Sequence, residues 1–201
     1  MKIITISGAS GSGKSTAAEL INQSMPTSLL LSLDRYYLSK NEQIEKNGFC
    51  NFDNPAAIDV DLLKKHLVEF KRFGMANVPI YDFTISQRAG YEELKASNNI
   101  IIDGIFAGSV IGQESNLSVF VDVDLDLALL RRIQRDMIER DRSLKSVIEQ
   151  YTNFVRPAYF EYVKNIKANA DIIISNNRST EEFVLEAYNI IKLIERNEFP
   201  R

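Results

Sequence analysis

Residues 8–16 of the chain read Gly8-Ala9-Ser10-Gly11-Ser12-Gly13-Lys14-Ser15-Thr16. The stretch fits the pattern G-x-x-x-x-G-K-[ST] of a phosphate-binding P-loop. Its glycines let successive backbone N–H groups turn toward phosphate oxygens, and the helix that follows favours an anion at its first turn. Lys14 is placed to reach the outer phosphates, and the Ser15 hydroxyl is placed to bind Mg²⁺. We therefore predict that residues 8–16 bind the phosphates of a nucleotide.

The sequence around this loop supplies the strand and the helix that a P-loop needs. An apolar run at residues 3–7 precedes it, and a helical pattern from about Lys14 to Ser24 follows it. Further short apolar runs lie at residues 28–33, 100–103, 119–123 and 172–175. The runs are continuously apolar, as strands covered on both faces are, and helical patterns separate most of them. The sequence therefore predicts an α/β fold with a parallel sheet and helices on both of its faces.

Composition narrows the class of protein. A length of 201 residues is typical of one domain, with room for a small lid. The net charge is -3, so the chain lacks the excess of positive charge that nucleic-acid-binding proteins usually carry. One cysteine excludes an intramolecular disulfide, and one histidine, His66, leaves no His/Cys metal cage. We interpret His66, on an amphipathic helix at residues 59–73, as structural or exposed. No apolar run reaches the roughly 18 residues that span a bilayer, and no signal peptide opens the chain, so we expect a cytoplasmic protein without a membrane partner.

Two acidic residues stand at the ends of predicted strands. Asp34 closes the second strand and Asp103 closes the third. In open parallel sheets, ligands bind beyond the carboxyl ends of the strands, where the P-loop also lies. Asp34 could there accept a proton or hold a metal-bound water, unless it only starts a turn. Asp103 could hold Mg²⁺ with the P-loop hydroxyl, unless it only caps the next helix.

Between these acids, aromatic residues lie in irregular segments. The loop at residues 38–58 is long enough to be functional, and its segment 52–55 either lines a pocket or caps the next helix. Further along the chain, we do not expect the segment around Pro79 to be a central strand, because proline lacks the N–H that a central strand needs. We therefore predict an edge hairpin or a loop there. Tyr81 and Phe83 lie two residues apart, on one face of an extended segment. They either stack on a nucleobase or pack against the body of the domain.

The helix predicted at residues 126–139 carries an apolar stripe and a cluster of arginines. The stripe, which we expect to be buried, consists of Leu127, Leu130, Ile133 and Met137. The arginines are Arg131, Arg132, Arg135, Arg140 and Arg142. Surface helices often carry arginine, and a pair such as Arg135–Glu139 would be ordinary. Five arginines within twelve positions of an acidic protein nevertheless predict an anion-binding cluster that neutralises a transferring phosphoryl group as part of a lid.

Together these segments resemble the uridine kinase family of P-loop nucleoside kinases. The matching segments, in the order of that family, are residues 8–16, 33–37, 52–55, 79–83, 103–104, 131–142 and 155–157. They cover the chain from end to end, and the combination is far more specific than the P-loop alone. The resemblance implies a five-stranded parallel sheet, a small β-hairpin over the nucleoside, a helical lid and a homo-oligomer, as a dimer or tetramer.

The resemblance also implies an activity, which is transfer of the γ-phosphoryl of ATP or GTP to the 5′-hydroxyl of a pyrimidine ribonucleoside. Asp34 would be the base for that hydroxyl. Ser15 and Asp103 would hold Mg²⁺, with Asp34 as a further candidate at the metal. Lys14 would bind the β- and γ-phosphates and take part in catalysis. The remaining phosphate contacts would come from the other residues of 8–16 and from Arg135, which is also assigned to catalysis, Arg140 and Arg142.

A second group of residues would bind the acceptor. By resemblance, Asp53 and Arg132 would hold the ribose 2′- and 3′-hydroxyls. The base pocket would be lined by Tyr37, Tyr81 and Phe83, and Phe52 is assigned to the same substrate site. Ser86 and Arg88 are assigned to the same site, and Ser86 stands where the family usually has a histidine that reads the pyrimidine edge.

The favoured interpretation is one kinase domain over residues 1–201 that phosphorylates uridine or cytidine in pyrimidine salvage. Within this domain we predict a nucleoside-binding insertion at about residues 35–58 and 77–98 and a lid at about residues 138–146. Two further departures from the family are Asp103 in place of a glutamate and Tyr36 in place of a phenylalanine. Because of Ser86, a kinase of another small alcohol, such as a different nucleoside, a sugar phosphate or a vitamin precursor, is an alternative. An NTP-binding regulatory module is the alternative of another class.

Overall fold

Five parallel strands form the sheet that carries the P-loop. A computed structural model of the protein describes residues 1–96 and 98–199, so that Ser97, Pro200 and Arg201 lie outside the described residues. The strands of the described chain are β1 (Lys2–Gly8), β2 (Ser28–Ser32), β3 (Met75–Asp82), β4 (Gln87–Lys95), β5 (Asn99–Asp103), β6 (Leu117–Asp122) and β7 (Ile172–Ser175), of which β3 and β4 lie outside this sheet. The parallel sheet has the order β2-β5-β1-β6-β7, with β1 at its centre. The predicted α/β fold with a five-stranded parallel sheet is confirmed.

Helices connect the strands of the sheet. They are α1 (Lys14–Gln23), α2 (Lys40–Asn47), α3 (Val60–Phe73), α4 (Ala107–Ile111), α5 (Leu125–Glu139), α6 (Leu144–Gln150), α7 (Arg156–Ala158), α8 (Lys164–Ala168) and α9 (Thr180–Arg196). Short 3₁₀ turns lie at Leu33–Tyr36 and Pro55–Ala57. In the part of the chain that the structure describes, no helix combines the length and the apolarity needed to cross a membrane.

The two faces of the sheet are buried in separate apolar clusters. Ile3 of β1 and Ile102 of β5 belong to one cluster, which includes Ile166 of α8. Ile4 and Ile101, their neighbours along the same strands, belong to the other cluster, to which α1 and α9 contribute. Alternate residues of a strand therefore point into different clusters. Burial on both faces explains why the strands appear in the sequence as continuous apolar runs.

The segment after α3 forms a separate two-stranded sheet. Strands β3 and β4 are antiparallel, with Val78 opposite Glu92 and Tyr81 opposite Arg88. Pro79 is accommodated because each strand of a two-stranded sheet is an edge strand. The edge hairpin, which was one of two alternatives from the sequence, is confirmed.

The chain around Pro157 stays helical, although a proline inside a helix usually kinks or breaks it. A π-helical turn at Tyr151–Val155 connects α6 to α7, and a second at Tyr159–Val163 connects α7 to α8. Val155 and Arg156, which precede the proline, both have right-handed helical dihedral angles. The wider turns on both sides accommodate the missing N–H of the proline without ending the helix.

Helix α5 buries a polar face rather than an apolar one. Its buried residues are Ala128, Arg132 and Asp136. The sequence predicted a different stripe, namely Leu127, Leu130, Ile133 and Met137. That prediction is wrong, because Leu130 is 62% exposed and Met137 is 45% exposed. The helix turns its charged side toward the P-loop, where Arg132 and Asp136 find polar partners, and leaves these two apolar side chains outside.

The histidine of the chain is buried in a hydrogen bond between α3 and the first 3₁₀ turn. Nδ1 of His66 lies 3.0 Å from the Tyr36 hydroxyl, and both side chains are buried. Burial lowers the pKa of His66 below its ordinary value of 6.5. As the pH falls, the unfolded chain therefore takes up a proton before the folded chain does. We expect the free energy of unfolding to fall as the pH drops below about 6.5.

Urea unfolding of the wild type and of His66→Gln, from neutral pH down to about pH 5.5, measures this effect. Glutamine keeps a hydrogen-bond acceptor for Tyr36 and does not titrate, so the variant should lose less stability on acidification than the wild type. The same pH dependence in both proteins would show that His66 does not contribute.

Candidate active site

The P-loop runs from the end of β1 into α1 in the conformation that its glycines allow. Gly11 and Gly13 have φ values of +86° and +92°, a region that residues with a Cβ rarely adopt. The Ser12 N–H closes the loop with a 3.0 Å hydrogen bond to the Ala9 carbonyl. A Cβ at Gly11 would collide with the carbonyl of Ala128 in α5, so this helix packs directly on the loop. The amides that open α1 remain available to an anion.

Asp103, at the end of β5, faces the hydroxyl of Ser15. Ser15 Oγ donates a 2.7 Å hydrogen bond to Oδ2 of Asp103. The other carboxylate oxygen, Oδ1, is buried and has no hydrogen-bond partner among the described residues. Helix α4 begins after Phe106 without a side-chain cap, so Asp103 does not serve as one. A hydroxyl beside a carboxylate with an unused oxygen fits a Mg²⁺ ion, which prefers oxygen ligands.

Asp34 lies on the 3₁₀ turn Leu33–Tyr36 that follows β2. The Ser32 hydroxyl accepts a 3.3 Å hydrogen bond from its backbone N–H and so fixes the start of the turn. Burial raises the pKa of the Asp34 carboxyl, the charge of Lys14 opposes this, and the charge of Asp103 adds to it. The carboxylate thus interacts with both the P-loop lysine and the acid of β5. Such a position suits a group that accepts a proton next to a bound phosphate.

Aromatic rings form a continuous wall that reaches Asp34. The ring centroids of Tyr37 and Phe52 are 5.3 Å apart, those of Tyr37 and Tyr81 are 5.8 Å apart, and those of Tyr81 and Phe83 are 5.2 Å apart. Tyr37 and Tyr81 are buried, whereas Phe83 is 59% exposed. After burial and nearby charges, a hydrogen bond with Asp34 also raises the pKa of the Tyr37 hydroxyl. The structure therefore brings the four predicted aromatic residues together.

Asp53 is buried next to this wall and is linked to α5 through Gln150. Gln150 donates a 3.1 Å hydrogen bond to Oδ2 of Asp53 and accepts one of 3.1 Å from Arg132. Arg132 also donates a 2.7 Å hydrogen bond to the Ser10 hydroxyl of the P-loop. Burial raises the pKa of Asp53 and lowers that of Arg132, and the charge of each residue opposes the shift of the other. Nothing in the sequence pattern marked Gln150 as part of this network.

Asp136, which the sequence analysis also missed, gathers the arginine cluster. Its side chain is fully buried, and its oxygens lie 2.8 Å from Arg135 and 3.6 Å from Arg132, Arg140 and Arg142. A signal for it exists in the sequence, because Asp136 stands four residues from both Arg132 and Arg140. The four arginines are therefore assembled around one carboxylate beside the P-loop.

Two residues assigned to the acceptor site have other surroundings. Arg88 donates a 2.7 Å hydrogen bond to Oδ2 of Asp59, which caps α3. Ser86 lies in the turn between β3 and β4 with a φ of +53°. The residue at the histidine position of the family is thus at the tip of the hairpin.

An open cavity of about 480 Å³ lies on the outer side of the P-loop. It is lined by Gly11, Gly13, Lys14, Ser15, Thr16, Arg131, Arg135, Asn176, Thr180 and Phe183. The Asn176 side chain donates a 2.7 Å hydrogen bond to the Ser12 carbonyl, and the Asn176 carbonyl accepts one of 3.2 Å from Arg131. The volume is in the range of small-molecule sites. The loop after β7 therefore takes part in the site, which the sequence pattern did not indicate.

Comparison with known proteins identifies the family. The profile of the Phosphoribulokinase / Uridine kinase family matches residues 3–181. The chain is 34% identical over 193 residues to the uridine kinase of Borrelia turicatae, covering 94% of each chain. It is 38% identical over 179 residues to Uridine-cytidine kinase-like 1 of Mus musculus, covering 85% of this chain but only 33% of the mouse protein. The solved phosphoribulokinase of Rhodobacter spheroides has the same fold, with a TM-score of 0.60 at 15% identity over 87% of this chain and 69% of that one. The chain belongs to the phosphoribulokinase/uridine kinase family.

Proposed function

We propose that this chain is an ATP-dependent nucleoside kinase that phosphorylates the 5′-hydroxyl of uridine or cytidine. The observation that carries the proposal is the position of Asp34, a half-buried carboxylate that interacts with Lys14 and Asp103 on one side and with Tyr37 on the other. An acceptor hydroxyl must meet a phosphoryl donor at such a junction. The similarity to the uridine kinase of Borrelia turicatae over 94% of both chains supports a pyrimidine acceptor.

On the donor side, ATP would lie along the P-loop, with its base in the cavity beside Asn176 and Thr180. Lys14 would bind the β- and γ-phosphates. Ser15 and Asp103 would hold Mg²⁺, which neutralises charge on the transferring phosphoryl group when bound. Arg135, Arg140 and Arg142, three of the arginines around Asp136, would add the remaining positive charge.

On the acceptor side, Asp53 and Arg132 would hold the ribose hydroxyls, and the aromatic wall would hold the base. Asp34 would accept the proton of the 5′-hydroxyl as that oxygen bonds to the γ-phosphorus, while the bond from the γ-phosphorus to the β-phosphate oxygen breaks and ADP leaves. Because little covalent chemistry falls to the protein in this reaction, positioning and electrostatic stabilisation should supply most of the rate.

One observation favours a second candidate, a kinase of another small alcohol. Ser86 replaces the histidine that usually reads the pyrimidine edge, and it lies in the hairpin turn. Arg88, the basic residue of β4 that follows Ser86 most closely in the sequence, forms an ion pair with Asp59. The same catalytic residues would then serve a different nucleoside or a small alcohol of another class.

Release of ADP from Mg-ATP in the presence of single acceptors tests the proposal. We expect uridine and cytidine to raise the rate of ADP release well above the rate without acceptor. UMP or CMP should form in an amount equal to that of the ADP released. Purine nucleosides and pantothenate serve as comparison acceptors. Stimulation by one of these alone would favour the second candidate, and ATP binding without any stimulation would favour a regulatory module.

A further inference from the structure

The β3–β4 hairpin carries part of the aromatic wall but pairs only its own two strands into a sheet. An isolated two-stranded hairpin is marginally stable in water, so its position depends on what its inner face contacts. On β4 the half-buried residues alternate with exposed ones, and they are Arg88, Gly90, Glu92 and Leu94. Two of these four inner positions are charged.

Both charged residues of this inner face form ion pairs with the body of the domain. Glu92 Oε1 lies 2.5 Å from Nη1 of Arg35, and the same guanidinium donates a 3.2 Å hydrogen bond to the Pro79 carbonyl of β3. Arg88 Nη2 lies 2.7 Å from Oδ2 of Asp59. Arg35 therefore contacts both strands of the hairpin.

These ion pairs connect the two parts of the acceptor site. Arg35 lies on the same 3₁₀ turn as Asp34, directly after it. Arg88 lies opposite Tyr81 in the strand register, and Tyr81 packs on Tyr37 of the aromatic wall. The side chains of directly opposite residues share one face of a sheet. The Arg35–Glu92 pair thus joins the hairpin to the turn that carries Asp34, and the Arg88–Asp59 pair joins it to the start of α3.

We propose that the two ion pairs, Arg35–Glu92 and Arg88–Asp59, seat the hairpin and thereby set the affinity for the acceptor. Arg35 and Glu92 are positioning residues that do not touch the reacting atoms. The inference rests on the proposed nucleoside kinase function. It predicts that loss of a pair raises the KM for the acceptor, whereas the kcat and the KM for ATP stay nearly unchanged.

Glu92→Arg places two cations against each other and should raise the KM for uridine about three- to tenfold, since an exposed ion pair contributes up to about a fivefold effect and repulsion adds to its loss. Glu93→Arg makes the same change of charge on the outer face, where Glu93 contacts only Lys95 at 3.8 Å among the described ion pairs. This control should change the KM less than about twofold. The exchanged pair Arg35→Glu with Glu92→Arg should return the KM close to that of the wild type.

Four outcomes separate the inference from the function on which it rests. Equal KM values for Glu92→Arg and Glu93→Arg in an active enzyme would overturn the inference alone. Failure of the exchanged pair to restore the KM would do the same. If Glu92→Arg does not fold, Glu92→Gln replaces it, because glutamine removes the charge without adding repulsion. Its KM for uridine is then compared with that of Glu93→Arg. A wild type that phosphorylates neither uridine nor cytidine overturns the proposed function and, with it, the inference.

Discussion

Replacing Asp34 by asparagine should lower kcat about 10²- to 10⁴-fold and leave the affinity for ATP nearly unchanged, since this is the usual contribution of a positioned general base. Asparagine has the shape of aspartate but accepts no proton at neutral pH. Asp34 is half-buried, and the opposite charges of Lys14 and Asp103 both act on its carboxylate. The backbone of the P-loop should keep its conformation, because Asp34 lies outside it, on the turn after β2.

The measurement combines the rate of ADP release at saturating uridine with the dissociation constant of ATP from equilibrium binding. Glu45→Gln, which changes an exposed carboxylate of α2 in the same way, is the matched control and should behave like the wild type. A kcat within tenfold of the wild type would remove Asp34 from the role of base. A loss of ATP affinity as large as the loss of kcat would instead indicate a structural role.

The sequence predicted the scaffold well because the scaffold depends on burial of apolar residues. Each predicted strand appears within a few residues of its apolar run. The P-loop was equally clear, because its backbone conformation requires glycine at Gly11 and Gly13. The local sequence pattern was sufficient to predict these features, because they depend on residues that are close together in the sequence.

The same reasoning failed on α5, where the buried face is charged. Apolar periodicity assumes that charged residues stay outside, but Arg132 and Asp136 are buried because each satisfies the charge of the other. The acceptor network depends in the same way on tertiary contacts. Gln150 joins Asp53 to Arg132 across α6 and the loop at residues 38–58, and no spacing in the sequence reports that approach.

Arg88 shows a related limit. A cation in a predicted substrate segment suggests an anion or a carbonyl of the ligand as its partner, but the structure supplies Asp59 of the protein itself. In the sequence, Asp59 marked only the start of the predicted helix at residues 59–73, whereas in the structure it also caps α3. Motifs therefore identified which residues gather at the site, whereas the fold decided which of them pair with one another.

Removing the carboxylate of Asp136 should lower the free energy of unfolding by about 3 kcal/mol, the lower end of the range for breaking a buried ion pair. The lower end applies because Arg135 and Arg142 are partly exposed and Arg140 is half exposed, so water screens part of the charge left behind. Water does not screen the charge of Arg132 in this way, because Arg132 is buried and burial disfavours its charged form. Asp136→Ala would also release the cations that the proposed mechanism aims at the phosphates.

Urea unfolding of Asp136→Ala and of Glu139→Ala compares a buried with an exposed carboxylate on the same helix. The Glu139 variant should stay within about 0.5 kcal/mol of the wild type, as surface substitutions usually do. Saturating Mg-ATP should restore more stability to Asp136→Ala than to the wild type if its phosphates occupy the place of the lost carboxylate among the arginines. Equal stabilisation of both proteins by ATP would mean that the arginines around Asp136 do not bind the phosphates of ATP. An unfolding free energy of Asp136→Ala equal to that of the wild type would mean that solvent already neutralises the cluster and that Asp136 does not hold it together.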